Sequence, residues 1–168
     1  STWNLDLVYK EATAISEEAR ALANTLNNSR YLNFWNPMIN IARDPRWGRT
    51  QEGYGEDPFL VSKIAGEYIK GLQGTNEKYL KAIASPKHFI ANNVDGDRHF
   101  TNSKIDDKIL RDYYLPAFRS SIIEGKAQGL MSAYNALNGV PCSGNTFLLN
   151  DILRSEWGFK GHVVSDCG

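Results

Sequence analysis

The sequence predicts an α/β fold, a partial (β/α)8 barrel of TIM type, with residues 1–168 forming about half of it as a single partial domain. Three observations lead there. Short apolar or β-branched runs alternate with segments of helical periodicity, the pattern of βαβ units and a parallel sheet. No G-x-G-x-x-G turn follows any of those runs, which disfavours a doubly wound dinucleotide fold. Only about four strands are legible, whereas a complete barrel takes about 250 residues. The strand edges left over would be apolar and unpaired, so a longer parent chain is expected to supply the missing strands.

Leu5, Val8, Ala12, Ile15, Ala19, Leu22 and Leu26 recur at helical spacing, with Asn4 placed to cap them. A strand is expected over Phe34–Ile41, followed by a long polar loop. Asp57-Pro58 then opens a second helix as cap and first-turn proline, with Val61, Ile64, Ala65, Tyr68 and Leu72 on one face and Gly74 at its end. The next strand covers Leu80–Ser85. Asp106 caps a third helix that shows Ile109, Leu110, Tyr113, Ala117 and Phe118 on one face and is expected to kink at Pro116. Leu130–Tyr134 is a strand, Phe147–Trp157 a helix ended by Gly158, and Val163-Val164 the last strand.

Composition excludes several functions. Lys and Arg total 19 against 19 Asp and Glu, so no basic footprint for nucleic acid or an anionic membrane exists. No apolar run approaches the roughly 20 residues that span a bilayer. Cys142 and Cys167 lack both CxxC spacing and a neighbouring histidine cluster, so no metal site is expected. No cofactor is expected either.

In a parallel barrel, chemistry collects at the carboxyl ends of the strands. The residues there are the loop R-D-P-R-W-G-R-T-Q-E-G-Y-G-E-D-P (Arg43–Pro58), then Lys87 and His88, then Tyr134 and Asn135, then Asp166. A carboxylate, several cations, an imidazole and a phenol suit a polyhydroxylated ligand that develops positive charge, and a carboxylate facing an anomeric carbon can attack it. Each residue also has a plainer reading. Asp166 fits the cap of a following helix, Lys87 a Schiff-base or surface lysine, His88 a structural histidine, Tyr134 core, and Arg49 a loop ion pair with Glu52, Glu56 or Asp57. Adjacent strand residues point to opposite faces, so Lys87 and His88 share a ligand only across an irregular backbone. Pro86 offers the break, with a cis Ser85–Pro86 bond as its candidate form.

Four blocks, N-I-A-R-D-P-R-W-G-R-T-Q-E-G-Y-G-E-D-P, S-P-K-H-F, L-M-S-A-Y-N-A-L-N-G-V-P and G-H-V-V-S-D-C-G, stand in this order from Asn40 to Gly168. With them the chain resembles the N-terminal barrel domain of glycoside hydrolase family 3, the β-glucosidases and β-xylosidases. The resemblance implies a retaining β-glycosidase with Asp166 as nucleophile and a covalent glycosyl-enzyme on its carboxylate. It places Arg49, Lys87, His88 and Tyr134 on the sugar, with Met131 as a weaker candidate for the floor. The family's acid/base Glu comes from beyond the nucleophile and is not in this chain; Glu52 and Glu56 do not occupy its place. The fragment alone is therefore expected to be nearly or wholly inactive.

The S-D-C-G motif, with cysteine where the family's glucosidases often carry tryptophan, resembles the β-xylosidase and α-arabinofuranosidase branch, as does V-P-C-S-G-N. Xylose is favoured over glucose as the terminal non-reducing sugar. The expected partners are an oligosaccharide or glycoside substrate and the remainder of the parent chain. A secreted or periplasmic setting is favoured, and an oxidising one would allow Cys142 and Cys167 to pair. Two other readings stay open: a Schiff-base aldolase acting through Lys87, and a non-catalytic carbohydrate-binding half barrel.

Overall fold

The computed structural model describes residues 2–76 and 78–167. Its strands are β1 (Asn33–Phe34), β2 (Ile83–Ala84), β3 (Asn102–Ser103), β4 (Gly129–Ser132), β5 (Ala136–Leu137), β6 (Val140–Pro141) and β7 (His162–Ser165). Parallel pairs β1–β2 and β4–β7 are joined into one arc by bridges from Met38 to Lys87 and from Phe89 to Ser132. The ladder runs through Ile39 N–H to the Lys87 carbonyl (2.7 Å), Phe89 N–H to Met131 (2.8 Å) and Asp166 N–H to Ser132 (3.2 Å). Along the arc β1, β2, β4 and β7 follow one another in sequence order, the order of a barrel rather than of a doubly wound sheet.

The regular strands are shorter than the apolar runs that predicted them. Within Phe34–Ile41, Pro37 follows a cis bond to Asn36 and has no N–H for the ladder, so regular pairing stops at Phe34 and resumes as a bridge at Met38.

Helix α1 (Leu5–Leu26) starts where Asn4 Oδ1 accepts the Leu7 N–H. Its buried stripe is Val8, Ala12, Ser16, Ala19 and Ala23, while Leu22 and Leu26 are exposed. The expected face was therefore rotated too far at its C-terminal end. Small residues form the stripe because α2 (Pro58–Gln73) lies very close. A Cβ on Gly71 would overlap the Tyr9 carbonyl oxygen and come within 2.9 Å of the Ala12 Cβ. Asp57 caps α2 by accepting from the Phe59 and Leu60 N–H groups, and all five residues of its expected face are buried. At the far end Gln73, also buried, donates to the Lys126 carbonyl and accepts from the Gln128 N–H, which ties α2 to the entry of β4.

The third helix begins at the Asp106 cap as α3 (Asp107–Ile109), widens into a π-helical segment (Leu110–Tyr114) and continues as α4 (Leu115–Ile123). The expected disturbance at Pro116 takes this form: the imino nitrogen cannot donate backwards, and the preceding turn relaxes to the wider hydrogen-bonding pattern. Of the expected face Leu110, Ala117 and Phe118 are buried and Tyr113 is half-buried; Ile109 is exposed, and Tyr114 is buried in its stead. Phe147–Glu156 is also π-helical and ends at Trp157 and Gly158, the latter at φ 66°.

Sequence reasoning missed the small sheet β3–β5–β6. Its hairpin turns on Asn138-Gly139, at φ 49° and 89°, the pair that a tight primed turn requires. The Asn-Gly dipeptide between two short apolar runs was the available signal. No described helix is long and apolar enough to cross a membrane.

Candidate active site

Four elements deliver side chains to the carboxyl end of the arc. Asp166 follows β7 directly, and its backbone N–H is still held by Ser132. Its Oδ2 is buried, has no hydrogen-bond partner among the described residues, and lies 3.4 Å from His88 Nε2. The Cys167 N–H donates to Oδ1 at 2.8 Å. The closing Gly168 of the last block lies outside the described residues.

His88 comes within 3.4 Å of this carboxylate, Lys87 lies near enough to feel its charge, and the backbone joining the two residues is irregular. The break is not at Ser85–Pro86 as expected; the cis bonds are Lys87–His88 and Phe89–Ile90. His88 is 1% exposed at its side chain. Burial first, then the Arg49 and Lys87 cations, push its imidazole down to about 3, so the ring is neutral at physiological pH. Lys87 is half-buried and makes no salt bridge among the described residues. Burial and the Arg49 guanidinium lower its pKa, against the opposing pull of Glu52 and Asp166.

Arg49 forms the expected loop ion pair, gripping Glu52 with two hydrogen bonds (2.8 and 2.9 Å), while its Nη1 lies 3.4 Å from His88 Nε2. The pairing holds the Glu52 carboxyl below the ordinary carboxylate range, which leaves it without a proton to donate at neutral pH. Tyr134 stands close enough to Asp166 that burial and then the carboxylate's charge raise its phenol.

Two candidates fall away from the ligand surface. Met131 is fully buried inside β4 and belongs to packing. Asn135, also fully buried, turns its amide onto the carbonyls of Ile90 and Ala136, both at 3.1 Å. Cys142 and Cys167 are free thiols, the first buried and the second exposed, so the pairing considered above is absent here. Among the described residues no group of His, Cys, Asp and Glu is placed to hold a metal ion.

Three contributors were not legible in sequence. Asn40 Oδ1 accepts the His88 backbone N–H (2.8 Å) and lies 3.0 Å from its Nδ1. His99 packs edge-on against the Tyr134 ring with centroids 4.4 Å apart, and the Arg98 guanidinium covers it at 4.8 Å. For Asn40 the signal was a polar residue inside the apolar run M-I-N-I; for Arg98 and His99 no periodicity marks the loop.

The glycosyl hydrolase family 3 N-terminal domain model matches residues 1–168. The chain belongs to this family. It is 42% identical over 181 residues to a xylan 1,4-β-xylosidase of Xylanibacter ruminicola, covering all of this chain and 21% of that protein. It is 40% identical over 172 residues to β-D-xylosidase 1 of Arabidopsis thaliana, covering 99% and 22%. Among solved structures, a family 3 exo-β-xylosidase in complex with a xylobiose aziridine activity-based probe superposes with a TM-score of 0.94 at 36% identity, over 98% of this chain and 22% of that one. β-Glucosidase 3B of Thermotoga neapolitana gives 0.86 at 37%, over 98% and 21%. The chain therefore spans about a fifth of the length of the family 3 relatives it matches, and its arc is part of the family's TIM-barrel-like N-terminal domain.

Proposed function

We propose that this domain supplies the nucleophile and most of the sugar-binding wall of a retaining β-glycosidase. The observation that carries the reading is the Asp166 carboxylate. One oxygen is buried and unpartnered at the mouth of the arc, and Arg49, Lys87, His88 and Tyr134 surround it. A carboxylate left this way is poised for a partner that arrives with the substrate.

In the first step Asp166 Oδ2 attacks the anomeric carbon. The glycosidic bond breaks, its electron pair leaves on the aglycone oxygen, and that oxygen takes a proton from an acid outside residues 1–168. Water then attacks the anomeric carbon of the glycosyl-Asp166 ester from the same side as the departed aglycone. It gives its proton to the same acid, now a base, and frees the carboxylate. Glu52, paired and deprotonated, does not fit the acid's role. Lys87 and Arg49 donate to sugar hydroxyls through their N–H groups.

Terminal β-xylose is the favoured sugar. Supporting it are the β-xylosidase names of the relatives cited and the closer superposition on the xylosidase than on the glucosidase. Cys167 beside the nucleophile, smaller than a tryptophan, fits the same choice. The comparisons support neither the aldolase nor the non-catalytic reading.

The test is made on the full-length enzyme. Asp166→Ala should lose at least about 10⁴-fold in kcat on aryl β-xylosides. Azide should restore turnover and yield a product of inverted anomeric configuration. Wild-type activity in this variant would remove Asp166 from the reaction, and a preference for aryl β-glucosides would overturn the sugar assignment.

A further inference from the structure

Asn40 is 4% exposed and its amide is held at both ends by backbone. Nδ2 donates to the Asn92 carbonyl, and Oδ1 accepts the His88 backbone N–H at 2.8 Å. A carbonyl only accepts and a backbone N–H only donates, so these partners fix which amide atom is oxygen. The same Oδ1 lies 3.0 Å from His88 Nδ1. An amide oxygen brings no proton, so a hydrogen bond there requires that Nδ1 carry one. In the neutral ring Nε2 is then bare. It faces Arg49 Nη1, a donor, and Asp166 Oδ2, an unpartnered acceptor, each at 3.4 Å.

We propose that Asn40 is a positioning residue that locks His88 in the Nδ1–H tautomer, so that Nε2 accepts from a substrate hydroxyl and leaves Asp166 Oδ2 free to attack. The inference rests on the glycosidase reading above. The opposite tautomer would point an Nε2–H at Oδ2 and tie up the lone pair that must reach the anomeric carbon. A doubly protonated ring would do so as an ion pair. The charges facing the ring work with Asn40: Arg49, Lys87 and Arg98 oppose protonation, while Glu52 and Asp166 favour it. Burial and the cations prevail, and the ring stays neutral. A sugar hydroxyl can then donate to Nε2 while accepting from the guanidinium or ammonium beside it, which satisfies both of its capacities at once.

Two variants of the full-length enzyme test this. Asn40→Leu removes the acceptor while keeping the branching at Cγ and should lower kcat/KM on an aryl β-xyloside about 10–100-fold. In a series of monodeoxy xylosides, one position should cost the wild type about tenfold or more, yet cost Asn40→Leu little further, because that hydroxyl has already lost its acceptor. Asn40→Asp keeps an acceptor but adds a negative charge that favours the imidazolium. It should introduce an acid limb into the pH–rate profile, with activity falling below about pH 6 and recovering reversibly towards pH 8. A misfolded protein would not recover with pH, so this variant separates tautomer control from structural damage. If both variants keep the wild-type pH profile and the same penalty at every deoxy position, the proposal is wrong. Asp166→Ala is assayed in parallel: if it is inert while the Asn40 variants match wild type, only the tautomer lock fails; if it is active, the glycosidase reading fails first.

Discussion

Where α1 packs on α2 the buried core residues are Val8 and Ala12 of α1 and Val61, Ala65 and Leu72 of α2, all of them apolar. A short distance away, around Asp166, the side chains are Arg49, Lys87, His88, Asn40 and Tyr134, and their placement depends on named hydrogen bonds and charges. The first region is specified by volume and period, and substitution there should cost stability and spare chemistry. The second is specified by donors, acceptors and charge, and substitution there should cost chemistry at little expense in stability. Gly71 and Lys87 are the sharpest representatives of the two kinds.

The largest effect expected from this contrast is at the mouth. Lys87→Met keeps the aliphatic stem but removes the amine donor, and kcat/KM on an aryl β-xyloside should fall about 10²-fold or more, with the thermal midpoint unchanged or raised. A parallel loss of stability would merge the two regions. Gly71→Val is the converse case. Its Cβ collides with the Tyr9 backbone, so urea unfolding should report a loss of about 3 kcal/mol, with KM unaltered in the protein that remains folded.

His88 links the two regions through pH. Its folded pKa lies at about 3, below the ordinary value of 6.5, so the unfolded chain binds its proton first. The neutral ring's contribution is fully present above pH 6.5 and drains away as pH falls towards 3. Between pH 7 and pH 5 the enzyme should lose about 2 kcal/mol of stability through this group, and His88→Gln should flatten that part of the profile. The smallest effect belongs to the helix cap: Asp57→Ala should cost about 1 kcal/mol and leave the pH–rate profile alone.

The same contrast explains what the sequence made legible. α1, α2 and their caps Asn4 and Asp57 were readable because a helix writes its period and its first unsatisfied N–H groups into local residue order. β4 and β7 were readable as short apolar or β-branched runs, though not as a register. Leu22 and Leu26 misled because the stripe that packs is chosen by the partner helix, which admits small residues and turns the leucines outwards. At the site, Arg49, Lys87, His88, Tyr134 and Asp166 stood in recognisable blocks. Asn40 did not, since its role depends on a backbone N–H forty-eight positions away. Nor did Arg98 and His99, which matter only because their loop folds over the Tyr134 ring. Polar networks are settled by three-dimensional neighbours, and a linear pattern carries little trace of them.

The central claim is that Asp166 forms a covalent bond to the sugar, and trapping that bond tests it most directly. The full-length enzyme is incubated with a 2-deoxy-2-fluoro-β-xyloside bearing a good leaving group, digested, and its peptides weighed. The account predicts a fluoroxylosyl adduct on the peptide containing G-H-V-V-S-D-C-G, with fragmentation placing it on Asp166. An adduct on any other carboxylate, or turnover with inversion and no adduct at all, would contradict it.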